Sequence, residues 1–91
     1  MTSQPALITG RVSQSGGQPI AGARVLYTSG PAALPDIAAL TDDTGRFSLA
    51  APWPGDYVLE IVADGFHSQR VHTAVGTRER ADISIELQPV R

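Results

Sequence analysis

The only imidazole side chains in this chain belong to His67 and His72, and Arg70 lies between them. An imidazole moves protons near neutral pH and a guanidinium holds anions, so the three residues are the candidates for acid–base chemistry. An offset of five along an extended strand points two side chains to opposite faces, although a bulge near Ser68 would change that phase. We therefore interpret the two histidines as surface residues of a strand, and we expect no catalytic residues.

Three acidic residues, Asp42, Asp43 and Asp56, are the candidates for a cation site, because calcium takes carboxylate oxygens from closely spaced acids. A calcium loop of the D-x-D-x-D-G type needs acids at alternating positions, whereas Leu40 and Thr44 occupy those positions here. We interpret the three aspartates as solvated turn residues, and we expect neither a metal site nor a cofactor.

The single tryptophan, Trp53, lies between Pro52 and Pro54. Two prolines hold it in a rigid loop, which lowers the cost of ordering it against a protein partner or a sugar ring. The alternative is an indole folded back as a lid over one end of the core. Leu34 and Ile37 lie in a loop that is unusually apolar. They too could either cover the end of the core or form a contact patch for a partner. The predicted binding residues are therefore Trp53, Leu34 and Ile37.

The charged residues argue against nucleic acid as a ligand. The formal net charge is −2, and the chain has seven arginines, no lysine and no basic run. Arg70, Arg78 and Arg80 cluster in the sequence, but Glu79 is interleaved with them, which favours a solvated face over an anion site. The absence of cysteine excludes disulfides and thiolate zinc sites.

Length and composition predict one globular domain over residues 1–91, since 42% of the residues are hydrophobic. The longest nearly apolar stretch, 58–63, is broken by Glu60 and is far shorter than the ~20 residues of a membrane helix. Residues 1–10 show no signal-peptide pattern. We expect a cytoplasmic protein that does not enter the membrane.

Short segments of alternating apolar and polar residues predict an all-β fold, because nine Gly and seven Pro fall between them and no long helical period is present. Two packed sheets bury such faces with few residues, so we expect an antiparallel sandwich with Phe47 and Tyr57 at the aromatic centre of its core. The turn at 42–45 predicts a hairpin between the third and fourth strands. The phase changes between Phe66 and Val71, which predicts a bulge near Ser68. The seven predicted strands are 6–12, 23–28, 37–41, 46–50, 57–63, 66–75 and 82–87.

Five segments in the same order resemble the carboxypeptidase regulatory-like domain: Ile-Thr-Gly-Arg-Val at 8–12, Gly-Gln-Pro-Ile-Ala-Gly-Ala-Arg-Val at 17–25, Thr-Asp-Asp-Thr-Gly-Arg-Phe at 41–47, Pro-Gly-Asp-Tyr at 54–57 and Ala-Asp-Gly-Phe at 63–66. The resemblance implies a seven-stranded Greek-key sandwich similar to transthyretin. It also implies a non-catalytic module of the kind that is appended to peptidases, outer-membrane receptors and adhesins.

Two reactions of related sandwiches, a hydrolysis and a side-chain crosslink, can be compared with the residues of this chain. Hydroxyisourate hydrolases of the transthyretin fold use His and Arg and end in Tyr-Arg-Gly-Ser, whereas this chain ends Gln-Pro-Val-Arg and has no His in its first strand. Related adhesin sandwiches form a Lys–Asn crosslink, and this chain has neither residue type. We therefore predict a non-enzymatic module that binds a protein partner through loops at one end. The alternatives are carbohydrate binding through Trp53 or Tyr57, and a small hydrolase using His67, Arg70 and His72.

Overall fold

The computed structural model describes residues 6–30, 38–76 and 80–90, which form seven strands and no helix. Accordingly, these residues include no helical segment that could cross a membrane. The predicted all-β sandwich is confirmed, and the strand bounds differ from the predicted ones by a few residues. The strands are β1 (Ala6–Gln14), β2 (Arg24–Ser29), β3 (Ala38–Leu40), β4 (Arg46–Ala51), β5 (Gly55–Val62), β6 (Gln69–Val75) and β7 (Arg80–Leu87).

The strands form a three-stranded sheet, β4-β1-β7, and a four-stranded sheet, β3-β2-β5-β6. The β1–β7 pair is parallel, while the other pairs within the two sheets are antiparallel. Parallel neighbours cannot be joined by a tight turn, and these two strands come from opposite ends of the described chain. The sandwich is therefore antiparallel, as predicted, except at this one pair.

The core lies between the two sheets and is built from alternate residues of the strands, as the period-two pattern predicts. Phe47 and Tyr57 are both buried, but they approach from opposite sheets. Full burial of one such side chain contributes about 1.5–3 kcal/mol, so this shared core is the main source of stability. The largest fully buried side chains are Tyr57, Ile8, Leu59, Ile61, Ile85, Leu87, Val12 and Val25.

Gly10, in the middle strand β1, makes room for the ring of Phe47. A Cβ atom at position 10 would lie 2.7 Å from the nearest carbon of that ring and 2.6 Å from the carbonyl oxygen of Ile83. Real Cβ atoms do not approach other atoms so closely, because interiors are packed at van der Waals distances. The Phe47 ring therefore lies over the backbone of Gly10, which has no side chain.

The predicted hairpin between the third and fourth strands is wrong, because β3 and β4 belong to different sheets. Thr41, at the crossing point, is buried. Its hydroxyl donates to the carbonyl oxygen of Ile20 at 2.7 Å and accepts from the backbone N–H of Ala23 at 2.9 Å. This polar anchor fixes the end of β3, and the turn residues that follow carry the chain to the other sheet instead of back along the same one.

Asp42 organises that crossing turn through one carboxylate oxygen. Its Oδ1 accepts from the Thr44 hydroxyl at 2.7 Å, from the Thr44 N–H at 2.9 Å and from the Arg46 N–H at 3.0 Å. The Thr44 hydroxyl, followed by the N–H groups of Arg46 and Thr44, lowers the pKa of Asp42 below its ordinary value of 3.8. The ionised form of Asp42 is therefore the form that holds the turn.

Acidification is expected to destabilise the fold through Asp42. A group whose pKa is lower in the folded state contributes stability above its unfolded pKa and loses it as the pH falls through the folded pKa. The unfolding midpoint of the wild type should therefore fall as the pH drops below about 4. Asp42→Asn keeps the Oδ1 acceptor without the charge, so its midpoint should fall less, while Asp43→Asn should behave like the wild type. Identical pH profiles for Asp42→Asn and the wild type would contradict this role.

Candidate binding site

Trp53 lies in the turn between β4 and β5, where the chain crosses from the three-stranded to the four-stranded sheet. The residue is 44% exposed, which places it outside the buried core. Pro52 and Pro54 on either side are exposed as well. The described part of the chain thus presents a large apolar side chain at this end of the sandwich.

The backbone of Trp53 is fixed by a buried hydroxyl. Tyr57, four residues later on β5, is fully buried, and its hydroxyl donates to the Trp53 carbonyl oxygen at 2.5 Å. The same hydroxyl accepts from the Trp53 N–H at 3.1 Å. Both backbone polar groups of Trp53 are therefore held by a core residue, while its indole remains half exposed.

A second tyrosine ties down the end of β4. Tyr27 of β2 packs against Tyr57, with the ring centroids 5.7 Å apart and the rings tilted by 44°. Its hydroxyl donates to the carbonyl oxygen of Ala50. Burial raises the pKa of Tyr27, and the neighbouring Tyr57 raises it further, so Tyr27 stays a hydrogen-bond donor at neutral pH. Sequence reasoning places Tyr57 in the core but does not give the partners of either tyrosine hydroxyl.

The other predicted binding residues, Leu34 and Ile37, lie outside the described residues. Strand β2 ends at Ser29, which is paired with Val58 near the beginning of β5 and thus at the Trp53 end. Because β4 and β5 belong to different sheets, the turn that carries Trp53 is a crossing between the sheets and not a hairpin. Trp53 is consequently the member of the predicted trio that the structure locates.

The residues proposed for a hydrolase are not gathered into one site. His67 precedes β6, and its N–H donates to the Gln88 carbonyl oxygen at 2.9 Å. Arg70 and His72 are exposed, on the outer face of β6. The predicted change in the inward–outward alternation is present, but it lies before β6. The strand itself begins at Gln69 and contains no bulge. His67 is thereby separated from the strand face that carries the other two residues.

A shallow depression of about 210 Å³ lies beside His72. It is lined by Asp56, His72, Thr73 and Ala74, and thus contains neither His67 nor Arg70. The candidate calcium ligands are also apart, because Asp42 uses its Oδ1 in the crossing turn and Asp56 lies on β5. Among the residues that the structure describes, no three His, Asp or Glu side chains form a group that could hold a metal ion.

An open groove of about 480 Å³ on the outer face of the three-stranded sheet is a feature that sequence reasoning missed. Its charged lining residues are two arginines and two aspartates, so their formal charges cancel. Asp42 and Arg46 come from the crossing turn and the adjoining start of β4, whereas Arg80 and Asp82 come from β7, which is far away in the sequence, so the groove gives no local signal. The polar residues lining the groove are Thr9, Asp42, Arg46, Ser48, Arg80 and Asp82.

Solved structures of similar fold come from proteins of different kinds. The chain is similar to GBS52, a minor pilin of Streptococcus agalactiae, with 19% identity, a TM-score of 0.72 and coverage of 93% of this chain and 44% of that one. It is similar to a chain of a type II cohesin–X–dockerin complex from Acetivibrio cellulolyticus, with 19% identity, a TM-score of 0.66 and coverage of 90% and 56%. It is also similar to hydroxyquinol 1,2-dioxygenase from Pseudomonas putida, with 13% identity, a TM-score of 0.67 and coverage of 99% of this chain and 58% of that one.

These likenesses concern the fold, because all three identities are below 20%. The chain spans less than two thirds of each of these three structures. No curated protein matches the sequence.

Family membership follows from the sequence itself. The five segments that carry the resemblance lie on β1, β2, β4, β5 and the turns between strands. The family profile matches residues 7–88, from the second residue of β1 to the residue after β7. This match covers all seven strands of the sandwich, and the chain therefore belongs to the carboxypeptidase regulatory-like domain family.

Proposed function

We propose that this domain is a non-catalytic interaction module that binds a protein partner through the end of the sandwich that carries Trp53. The observation that carries the proposal is the contrast within Trp53 itself, since a buried tyrosine hydroxyl holds its backbone while the residue remains 44% exposed. Membership of a family of accessory modules supports a binding role. Further support comes from the similar chain of the cohesin–X–dockerin structure, which belongs to a complex between proteins.

The physical reason is preorganisation. A binding loop that is disordered before contact loses conformational freedom on association, and this loss weakens the affinity. The hydroxyl of Tyr57 has already fixed the Trp53 backbone, so only the rotamers of the indole remain to be ordered. Tryptophan is enriched among the residues that dominate protein interfaces, because it combines a large apolar area with a single N–H donor.

Replacing Trp53 by alanine is expected to raise the Kd for the partner at least about 30-fold, the equivalent of about 2 kcal/mol, while the free energy of unfolding changes by less than about 1 kcal/mol. The partner is first captured from the protein's own cells with the tagged domain, identified and purified. Its Kd is then measured by calorimetry for the wild type, for Trp53→Ala and for the control Leu40→Ala.

Leu40 is a suitable control because it is 65% exposed and lies next to Thr41, away from the Trp53 turn. Its replacement should leave the Kd unchanged. Because Trp53 is the only tryptophan, its fluorescence emission should also shift to shorter wavelength when the partner covers it. An unchanged Kd in Trp53→Ala, or selective binding of the domain to a glycan array without any protein partner, would refute the proposal.

A further inference from the structure

The three-stranded sheet has two edge strands, β4 and β7. The edge formed by β4 is partly protected by hydrogen bonds within the chain. The N–H of Val12 donates to the carbonyl oxygen of Gly45, which fixes the alternation so that Arg46, Ser48 and Ala50 direct their backbone groups away from β1. Asp42 bonds both the N–H and the C=O of Arg46. The Ala50 carbonyl oxygen accepts from Tyr27. Half of the outward backbone groups of Arg46, Ser48 and Ala50 are therefore already bonded within the chain, at the two ends of this edge.

The other edge, formed by β7, has no such protection along the strand itself, and the pairing with another segment begins just past its end, where the N–H of His67 donates to the carbonyl oxygen of Gln88. The carbonyl oxygen of Ile83 lies 2.6 Å from the Cβ position of Gly10, so Ile83 directs its carbonyl towards β1. Because alternate residues of a strand face opposite sides, Arg80, Asp82, Ser84 and Glu86 direct their N–H and C=O groups away from β1. Within 6–30, 38–76 and 80–90, no hydrogen bond reaches these backbone groups. Such an edge is a template for a further strand.

The side chains along this edge are complementary to themselves in one antiparallel register. With Ile83 opposite Ile83 of a second copy, Arg80 faces Glu86 of the other chain, and Asp82 faces Ser84, whose hydroxyl can donate to the carboxylate. Each of these contacts occurs twice because the arrangement has a two-fold axis. A shift by two residues in either direction instead places Asp82 opposite Glu86 or opposite Asp82, and like charges directly opposite one another are unfavourable.

We propose that β7 pairs antiparallel with β7 of a second copy of this chain, with Ile83 at the two-fold axis, so that the two three-stranded sheets become one six-stranded sheet. In this register the outward-facing residues are also the hydrogen-bonded pairs, so every free N–H and C=O of the edge has a partner. Ala81 and Ile83 pack against the core but are only partly buried in the monomer. The second copy covers them and adds apolar contact to the backbone hydrogen bonds.

The contact is one strand wide, which is smaller than a standard stable interface, so the dimer should be weak and should form at high concentration. Sedimentation equilibrium from about 10 µM to about 1 mM should show the wild type moving from monomer to dimer, within the range of weak affinities. The proposal does not depend on Trp53, and Trp53→Ala should dimerise like the wild type.

Charge reversal tests the register. Glu86→Arg places two arginines opposite each other at both ends of the paired strands, and should weaken self-association at least about tenfold. The double variant Arg80→Glu with Glu86→Arg restores opposite charges and should restore the dimer. Failure of the double variant to dimerise would overturn the register.

Proline substitution tests the use of the edge itself. Ser84→Pro removes an outward-facing N–H that makes no bond within the monomer, so it should prevent dimer formation. Ser48→Pro is the matched control, because Ser48 faces away from β1 at the opposite edge of the same sheet, and this variant should still dimerise. Circular dichroism verifies that each variant is folded, and the charge variants decide the question if a proline variant is not. A wild type that stays monomeric at about 1 mM, or a folded Ser84→Pro that still dimerises, would overturn the proposal.

Discussion

Replacing Tyr57 by alanine is expected to lower the free energy of unfolding by about 3–5 kcal/mol, the usual loss for a buried aromatic truncated to a methyl group. Tyr57 is the largest of the fully buried side chains, and its ring packs against Tyr27. The truncation removes those contacts and also releases both backbone groups of Trp53. Partner binding should therefore weaken together with stability.

Tyr57→Phe separates the two effects. Phenylalanine keeps the ring in the core and removes only the hydroxyl, so the free energy of unfolding should fall by about 1 kcal/mol. The affinity for the partner should still fall, because the Trp53 backbone is no longer held. Urea unfolding followed by circular dichroism measures the stabilities, and calorimetry measures the binding. A loss below about 1 kcal/mol in Tyr57→Ala would mean that the ring is not part of the core.

Phe47→Ala should destabilise the domain by a similar amount, about 3–5 kcal/mol, although the ring enters the core from the other sheet. The ring lies over Gly10, which has no side chain to move into the vacated space. No side chain can therefore fill the cavity from the Gly10 side. Cavities that the surrounding structure does not fill cause the largest losses in the free energy of unfolding.

Ser48→Ala is the control for Phe47→Ala, because Ser48 is the next residue of β4 and its side chain is exposed on the opposite face. Its replacement should change the free energy of unfolding by less than about 0.5 kcal/mol. Similar losses in both variants, measured by urea unfolding, would mean that the two faces of β4 have been assigned the wrong way round.

The inward faces of the strands could be predicted from sequence because the alternation is a local property. Phe47, Leu49, Tyr57 and Leu59 are all buried as their spacing indicates. The assignment of strands to sheets could not be predicted in the same way. A hairpin and a crossing between sheets use the same turn residues, and the distinction here depends on Thr41, whose partners are about twenty residues away in the chain.

The candidate site was predictable only in part. Two prolines around a single tryptophan mark Trp53 as an unusual loop residue, and this is visible in the sequence. The two hydrogen bonds between the Tyr57 hydroxyl and the Trp53 backbone could not be predicted, because the sequence around an inward-facing tyrosine does not show which group its hydroxyl will bond. The free edge of β7 could likewise not be foreseen, since it depends on the distant pairing that makes β1 the middle strand.

The position of β1 between β4 and β7 has a consequence for how the protein is made. The ribosome releases β1 first and β7 last, yet these two strands are hydrogen-bonded neighbours along eight residue pairs. Contacts so distant in the chain slow folding, because a long loop must close before any of them forms. A nascent chain that lacks β7 has no partner for one side of β1, and it exposes the apolar residues that Ile85 and Leu87 later cover. We therefore expect the domain to fold after β7 has been synthesised, and to rely on chaperones until then.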